Sequence, residues 1–356
     1  MAQKNVETAP PPLLAHGSDQ LSSVVVDAYN AEMRSADGFV GDRASKRAFQ
    51  SILDDWRERV SKSGEDPLGD APSEQLSKKQ LDKLLIEGDA EAAGVVQAAI
   101  DEFSQELAAV IRRFLRLKDW KGTERIVIGG GMRQSRVGEL AIGRAAVILK
   151  AAGSDVTLHP ISNEPDHAGL IGCAHLVPPW MLAGHDSILA VDIGGSNIRS
   201  GIVELHNKKK PDLSDARVSN FELWRHREEE PKRDDAVERL ITMLKAHVRA
   251  AGKEELKLAP FIGIGCPGVI RADGSIERGG QNLPGNWEVK SFNLPALLRE
   301  AIPKIADHDT VVVMHNDAVV QGLSELPHMT DVSHWGVLTI GTGLGNARFT
   351  NRKVAE

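Results

Sequence analysis

Apolar positions keep two rhythms along this chain. From Asp42 to Val60, the residues Ala48, Phe49, Ile52, Leu53, Trp56 and Val60 recur three and four apart, which predicts a helix. Ser61 to Gln75 carries Gly64, Pro67, Gly69 and Pro72 and reads as a loop. A short helix is predicted from Ser77 to Glu87, stopped at Gly88. Asp89 then caps a long helix from Ala90 to about Leu117, with Val95, Val96, Ala99, Ile100, Phe103, Leu107, Val110 and Ile111 on one broad stripe. Further helices are predicted over Gly138–Ala152, His167–Leu176, Asp234–Ala251, Leu294–Ile302 and Asn316–Glu325. Between them lie stretches that read as strands: Arg125 into Gly131, Asp155–Pro160, a polar strand around Val218–Trp224, a buried strand over Pro260–Ile270 ending in a Cys-Pro-Gly turn, and Thr310–Met314. Two glycine-tipped hairpins are predicted as well, Ile188–Glu204 and Trp335–Thr350. Strands alternating with helices indicate an α/β protein. Residues 1–20 are proline-rich and polar and read as a disordered lead-in.

Composition narrows the function. A length of 356 residues supplies enough chain for more than one domain. The net charge of −7 argues against a general nucleic-acid or anionic-membrane binder. No apolar run approaches the ~20 residues that cross a bilayer. The first residues, Met1 to Pro12, lack the apolar core of a signal peptide, so a cytoplasmic setting is expected. Cys173 and Cys266 are the two cysteines, which excludes a disulfide framework and a four-cysteine zinc site. Both read as small core or turn residues. The lysines of Asn207 to Pro211 read as a solvated turn.

Three glycine-rich turns follow strands: Gly194-Gly195-Ser196-Asn197, Gly129-Gly130-Gly131, and Gly341-Thr342-Gly343-Leu344-Gly345. Backbone N–H groups at such turns cradle phosphate oxygens. None is a dinucleotide or P-loop fingerprint. Two hairpins of this kind facing one cleft suit a nucleotide. Asp192, at the end of a strand, is placed to hold a metal ion through water. Asp317, where a buried strand hands over to a helix, can accept a proton from a substrate hydroxyl, or can simply cap its helix. Gln281 to Trp287 offers amides and an indole of the kind that read sugar hydroxyls, or a plain turn. No His-Glu-x-x-His or Cys/His cluster supports protein-ligated zinc.

Taken together these segments resemble the ROK family of sugar kinases and repressors, within the actin-like ATPase superfamily. Ala190 to Asn197 is similar to its first phosphate motif, and Thr339 to Gly345 to its second. Gly263 to Gly268 with Asn282 to Trp287 resembles its sugar-side segment, and Asn316-Asp317-Ala318 the stretch with its catalytic aspartate. The family's second half should follow Gly345, yet only eleven residues remain. It resembles the front of this chain instead: Leu84 to Ala92, the adenosine-type motif Ile126 to Gly131, and the C-terminal-type helix Asp166 to Ala174.

The resemblance implies a circularly permuted, two-lobed actin-like (ribonuclease H-like) fold around a central cleft. Its large lobe would comprise residues 21–165 plus 333–356, and its small lobe 166–332. It implies ATP and Mg²⁺ as cofactors, a hexose as acceptor, Asp317 as base, and Asn282 and Asn316 on the sugar. Phosphates would lie at Gly194, Gly195, Ser196, Asn197, Gly341, Thr342, Gly343 and Gly345, adenosine at Gly129, Gly130 and Gly131, and Mg²⁺ at Asp192 through water. A homodimer, common among relatives, is the implied assembly, although the permuted halves could instead come from partner chains.

Two family features are missing, the zinc-binding cysteine run and a clean Glu-x-Gly-His sugar segment, for which His16-Gly17 and Ala31-Glu32 are poor substitutes. A non-catalytic sugar sensor is therefore the alternative. A polyphosphate-using kinase is another, since Thr339 to Phe349 is also similar to such relatives. Residues 1–45 show no helix-turn-helix of the kind that repressors carry.

Overall fold

The computed structural model describes residues 15–36 and 38–352. Two five-stranded sheets organise it. Their strands, in chain order, are β1 (Val24–Tyr29), β2 (Arg125–Gly129), β3 (Thr157–Pro160), β4 (Ser187–Ile193), β5 (Ile198–Glu204), β6 (Arg217–Trp224), β7 (Leu258–Cys266), β8 (Val311–Asn316), β9 (His334–Ile340) and β10 (Leu344–Asn351). The first sheet runs β1-β10-β9-β2-β3 and the second β6-β5-β4-β7-β8.

Position by position the two sheets are alike. A central strand, β9 or β4, pairs antiparallel with its hairpin partner, β10 or β5. A third strand, β1 or β6, joins that partner antiparallel. On the other side two parallel strands follow, β2 and β3 or β7 and β8. The second sheet takes its strands in one uninterrupted run of chain. The first takes its central hairpin from the end of the chain and the rest from the beginning, and β1 closes on β10 within a single chain.

Burial explains why these runs are strands. All seven residues of β4 are buried, as expected for a central strand of a sheet with helices on both faces. The main helices are α1 (Lys46–Ser61), α2 (Lys78–Glu87), α3 (Ala90–Phe114), α4 (Arg136–Ala151), α5 (Pro165–Gly172), α6 (Arg233–Lys253), α7 (Leu294–Ala301) and α8 (Asp317–Leu323). Ser77 caps α2 with a reciprocal capping box to Gln80, and Asp89 caps α3 through the amides of Glu91 and Ala92. One buried cluster joins α1 to α4 with the outer face of the first sheet, and another joins α6 and α7 with that of the second. A third cluster holds residues of both sheets together with α5 and α8.

Those two helices lie close because glycine permits it. A Cβ on Gly172 would stand 1.7 Å from the carbonyl oxygen of Val320 on α8. Both cysteines are fully buried and unpaired by disulfide, and burial pushes both thiols up. They are core residues.

Several expectations need correction. The sequence pattern predicts no element over residues 21–41, yet Val24–Tyr29 is an edge strand. Of the lead-in expected over 1–20, residues 1–14 lie outside the described residues. Residues 15–20 are held in place: Gly17 N–H donates to the Met314 carbonyl, and Gln20 bridges to Val25. The buried strand expected from Pro260 starts at Leu258 and ends at Cys266, at the Cys-Pro-Gly turn read from the sequence, and Val269–Ile270 pairs separately with Ile276–Arg278. Trp287 is not a sugar-facing indole. It is core, 1% exposed, with its ring N–H donated to the Pro284 carbonyl. The helix expected from Asn316 starts at Asp317, with Asn316 as its cap.

Candidate functional site

A cleft of about 970 Å³ opens between the carboxyl ends of the two sheets. The tip of the β4–β5 hairpin and the tip of the β9–β10 hairpin face each other across it. Ser196 Oγ and Thr342 Oγ1 are 3.3 Å apart, within hydrogen-bond reach. Gly194, Gly195, Ser196, Asn197, Gly341, Thr342, Gly343 and Gly345 all line it, as do Gly130 and Gly131. Gly129 does not. It is buried at the end of β2 behind that wall.

Each turn is shaped by local constraints. In the first, Gly194 N–H donates to the Asn197 carbonyl at 2.8 Å, and the His226 ring nitrogen Nε2 lies 2.9 Å from the Gly194 carbonyl. A side chain on Gly195 would meet Asn282, with Cβ atoms 2.8 Å apart, so the glycine makes room for that amide. At Gly130 the backbone has φ +89°, and a Cβ would stand 2.2 Å from the Ile340 carbonyl oxygen. Only glycine fits there.

Asp317 and Asp192 share the cleft wall. Burial, reinforced by the negative charge of Asp192, pushes the Asp317 carboxyl up to about 7. Such a group can exchange a proton near neutrality, which general-base work demands. Burial likewise raises Asp192, opposed by the guanidinium of Arg199 and reinforced by Asp166. Arg199 bridges the two carboxylates, at 3.3 Å from Asp192 and 2.8 Å from Asp166. Gly169 makes this possible, since a Cβ there would be 2.6 Å from the Asp192 Cγ.

Asn282 lines the cleft, whereas Asn316 does not. Asn316 is buried, its oxygen accepts from the Ala318 and Val319 amides, and its Nδ2 donates to the Gly268 carbonyl. Its amide is spent on fixing the start of α8, the helix that carries Asp317.

Sequence reasoning missed five cleft residues. Arg199 had a readable signal, because hairpin register places it directly opposite Asp192. Lys46 and Lys78 had none, since both arrive from distant helix starts. Lys78 Nζ donates to the Gly131 carbonyl and to Gln134, and burial lowers its pKa. Asn30 Nδ2 and Gln321 Oε1, on two further cleft residues, are buried without a hydrogen-bond partner. Buried polar atoms are normally paired, so two orphans in one cleft suggest groups that meet a ligand.

Among the described residues, no group of three or more His, Cys, Asp or Glu side chains is arranged to hold a metal ion alone. Asp192 and Asp317, the carboxylates on the cleft wall, are oxygen donors of the kind Mg²⁺ accepts, one or two at a time beside its own waters and phosphate oxygens. No helix among the described residues is long and apolar enough to cross a membrane.

No protein-family model and no curated protein matches this chain. Solved structures do. A candidate sugar kinase from Cytophaga hutchinsonii ATCC 33406 is 20% identical, with 48% of this chain and 49% of that one covered and a TM-score of 0.36. A candidate N-acetylmannosamine kinase from Listeria monocytogenes, the Lmo2764 protein, is 23% identical over 48% and 49%, with a TM-score of 0.34. A ROK hexokinase from Thermus thermophilus is 24% identical over 45% of each chain, with a TM-score of 0.32. The match thus spans about half the length of each of these three structures.

Proposed function

We propose that this protein is a ROK-type sugar kinase that transfers a phosphoryl group from ATP to a hexose hydroxyl. One observation carries the reading. Asp317, with a carboxyl near neutrality, stands in a cleft whose two glycine hairpins lie within hydrogen-bond reach of each other. A sugar hydroxyl donating its proton to Asp317 becomes the nucleophile for an in-line attack on the terminal phosphoryl group. The hairpin amides hold the phosphate oxygens, and Asn282, seated over Gly195, orients the sugar beside them. Gly130 and Gly131 form the adenosine side. Mg-ATP supplies the transferable phosphoryl group and the charge neutralisation. Asp192, whose Oδ2 is occupied by Arg199, would hold the metal's water through Oδ1. Closing the cleft excludes water, so that the sugar and not water is phosphorylated.

We also propose that the fold is a two-lobed actin-like one in circularly permuted order. The shared strand plan of the two sheets supports this, one sheet following the chain and the other starting near its end. The last described residue also lies beside the entry to β1, since Arg352 N–H donates to the Ser23 carbonyl. The ancestral junction would then lie between Leu176 and Ser187.

A polyphosphate donor is the second reading. A groove of about 690 Å³ adjoins the cleft at Lys78, Gln134 and Ser135 and carries Lys79, Arg133 and Arg136 together with Asp82, Glu139 and Glu164, Arg136 being paired with Glu139. A coupled assay over a panel of hexoses, with ATP and with polyphosphate, separates the readings. Sugar-dependent turnover with ATP supports the first. Turnover with polyphosphate alone supports the second. No turnover, accompanied by a sugar-induced rise in Tm, would replace both with a sensor.

A further inference from the structure

The outer edge of the second sheet ends at the candidate base, and something unexpected covers it. β8 pairs with β7 on one side only. An uncovered edge leaves N–H and C=O groups without partners. Here residues 16–18, from the far end of the chain, lie along it. Met314 N–H donates to His16 Nδ1 at 3.0 Å, and Gly17 N–H donates to the Met314 carbonyl at 2.9 Å. The His315 ring nitrogen Nε2 stands 3.0 Å from the Ser18 carbonyl, while its Nδ1 accepts the Asn316 N–H at 2.7 Å. His315 thus donates to the segment from one nitrogen and holds the backbone beside Asp317 with the other. Tyr29 packs edge-on against the same ring at 5.1 Å.

The approach requires glycine. Gly17 has φ +56°, and a Cβ there would stand 2.1 Å from the Ile270 carbonyl oxygen. The segment is therefore seated between β8 and the turn after β7. Asn316 in turn bonds the Gly268 carbonyl of that same turn. Strap, turn and cap form one connected support under the start of α8.

We infer that residues 16–18 are a strap that places Asp317 for phosphoryl transfer, with His16 and His315 as positioning residues. This rests on the kinase reading. The strap touches neither hairpin tip, so its loss acts on the chemical step and leaves nucleotide binding alone. Displacement of a base by a fraction of an ångström is enough to slow such a step substantially.

The test uses full-length variants. Gly17→Ala drives the strap off the Ile270 carbonyl, and kcat is expected to fall about tenfold or more with KM for ATP unchanged. His16→Ala removes one acceptor, with an expected fall of about fivefold. His16→Asn returns an oxygen to the position of Nδ1 and is expected to restore kcat. Hydrogen exchange over residues 311–318, expected to quicken in Gly17→Ala, reads the strap independently of turnover. Unchanged kcat and unchanged exchange in Gly17→Ala overturn the strap. So does a loss in His16→Ala that His16→Asn fails to restore. If the wild-type protein phosphorylates no sugar, the kinase reading fails and the placement of Asp317 for transfer falls with it, while exchange still decides whether the strap holds β8.

Discussion

The two sheets share one strand plan, and they differ in how the chain reaches it. The second sheet is assembled by neighbours in sequence, with Asp192 facing Arg199 across a hairpin seven residues on. The first sheet joins its third strand to its second across most of the chain, with the pair Arg348–Asp27 321 residues apart. Loop-closure entropy rises only with the logarithm of length, by about 0.6 kcal/mol per doubling. A strand paired over so long a separation therefore costs little more than one paired locally, provided that side chains help to hold it in register. Arg348 is that fastening. It is 7% exposed on its side chain, pairs with Asp27, and donates to the Lys121 carbonyl and to Thr350.

That difference can be broken first at the fastening. Arg348→Met leaves Asp27, 23% exposed, with only the Thr350 hydroxyl and is expected to cost about 2 kcal/mol in urea unfolding. Hydrogen-exchange protection should be lost in β1 before it is lost in β6. Equal loss in both strands would mean that the split sheet is no more dependent on side-chain fastening than the contiguous one.

A smaller effect separates the chemistry of the two sides. Asp317 must be ionised to accept a proton, and its carboxyl sits near 7. Turnover should therefore fall about tenfold per pH unit below that value, following the fraction of carboxylate. An acid limb centred near the ordinary carboxylate range instead would show that burial and Asp192 do not act on the base as described.

Smaller again is the local test. Ser77→Ala removes the reciprocal cap of α2 and should lower stability by about 1 kcal/mol, leaving KM for the sugar untouched. The smallest effect tests the permutation itself. Joining the two ends and reopening the chain between Leu176 and Ser187 should return the same Tm and the same activity. Failure of that chain to fold would show that the present order is required by the fold.

These contrasts also explain what sequence could show. Hairpins, caps and amphipathic helices are local, so the turn at Gly194-Gly195, the cap at Asp89 and the stripe on α3 could be read directly. β1 could not, because its three valines pair with a strand at the opposite end of the chain. Trp287 looked like a ligand-facing indole, since a loop position says nothing about which way a ring packs. Lys78, Asn30 and Gln321 reach the cleft only through tertiary packing, and no spacing announces them. The strap at residues 16–18 hides for a related reason: a proline-rich, polar start carries no period, and its partners lie at Met314 and His315.

Asp317 carries the central claim. The measurement that tests it most directly is single-turnover phosphoryl transfer from ATP to a bound hexose by wild-type protein and by Asp317→Asn, with Tm recorded for both. A fall of about a thousandfold or more at unchanged fold is the outcome that this account predicts. Near-normal transfer by the variant would contradict it.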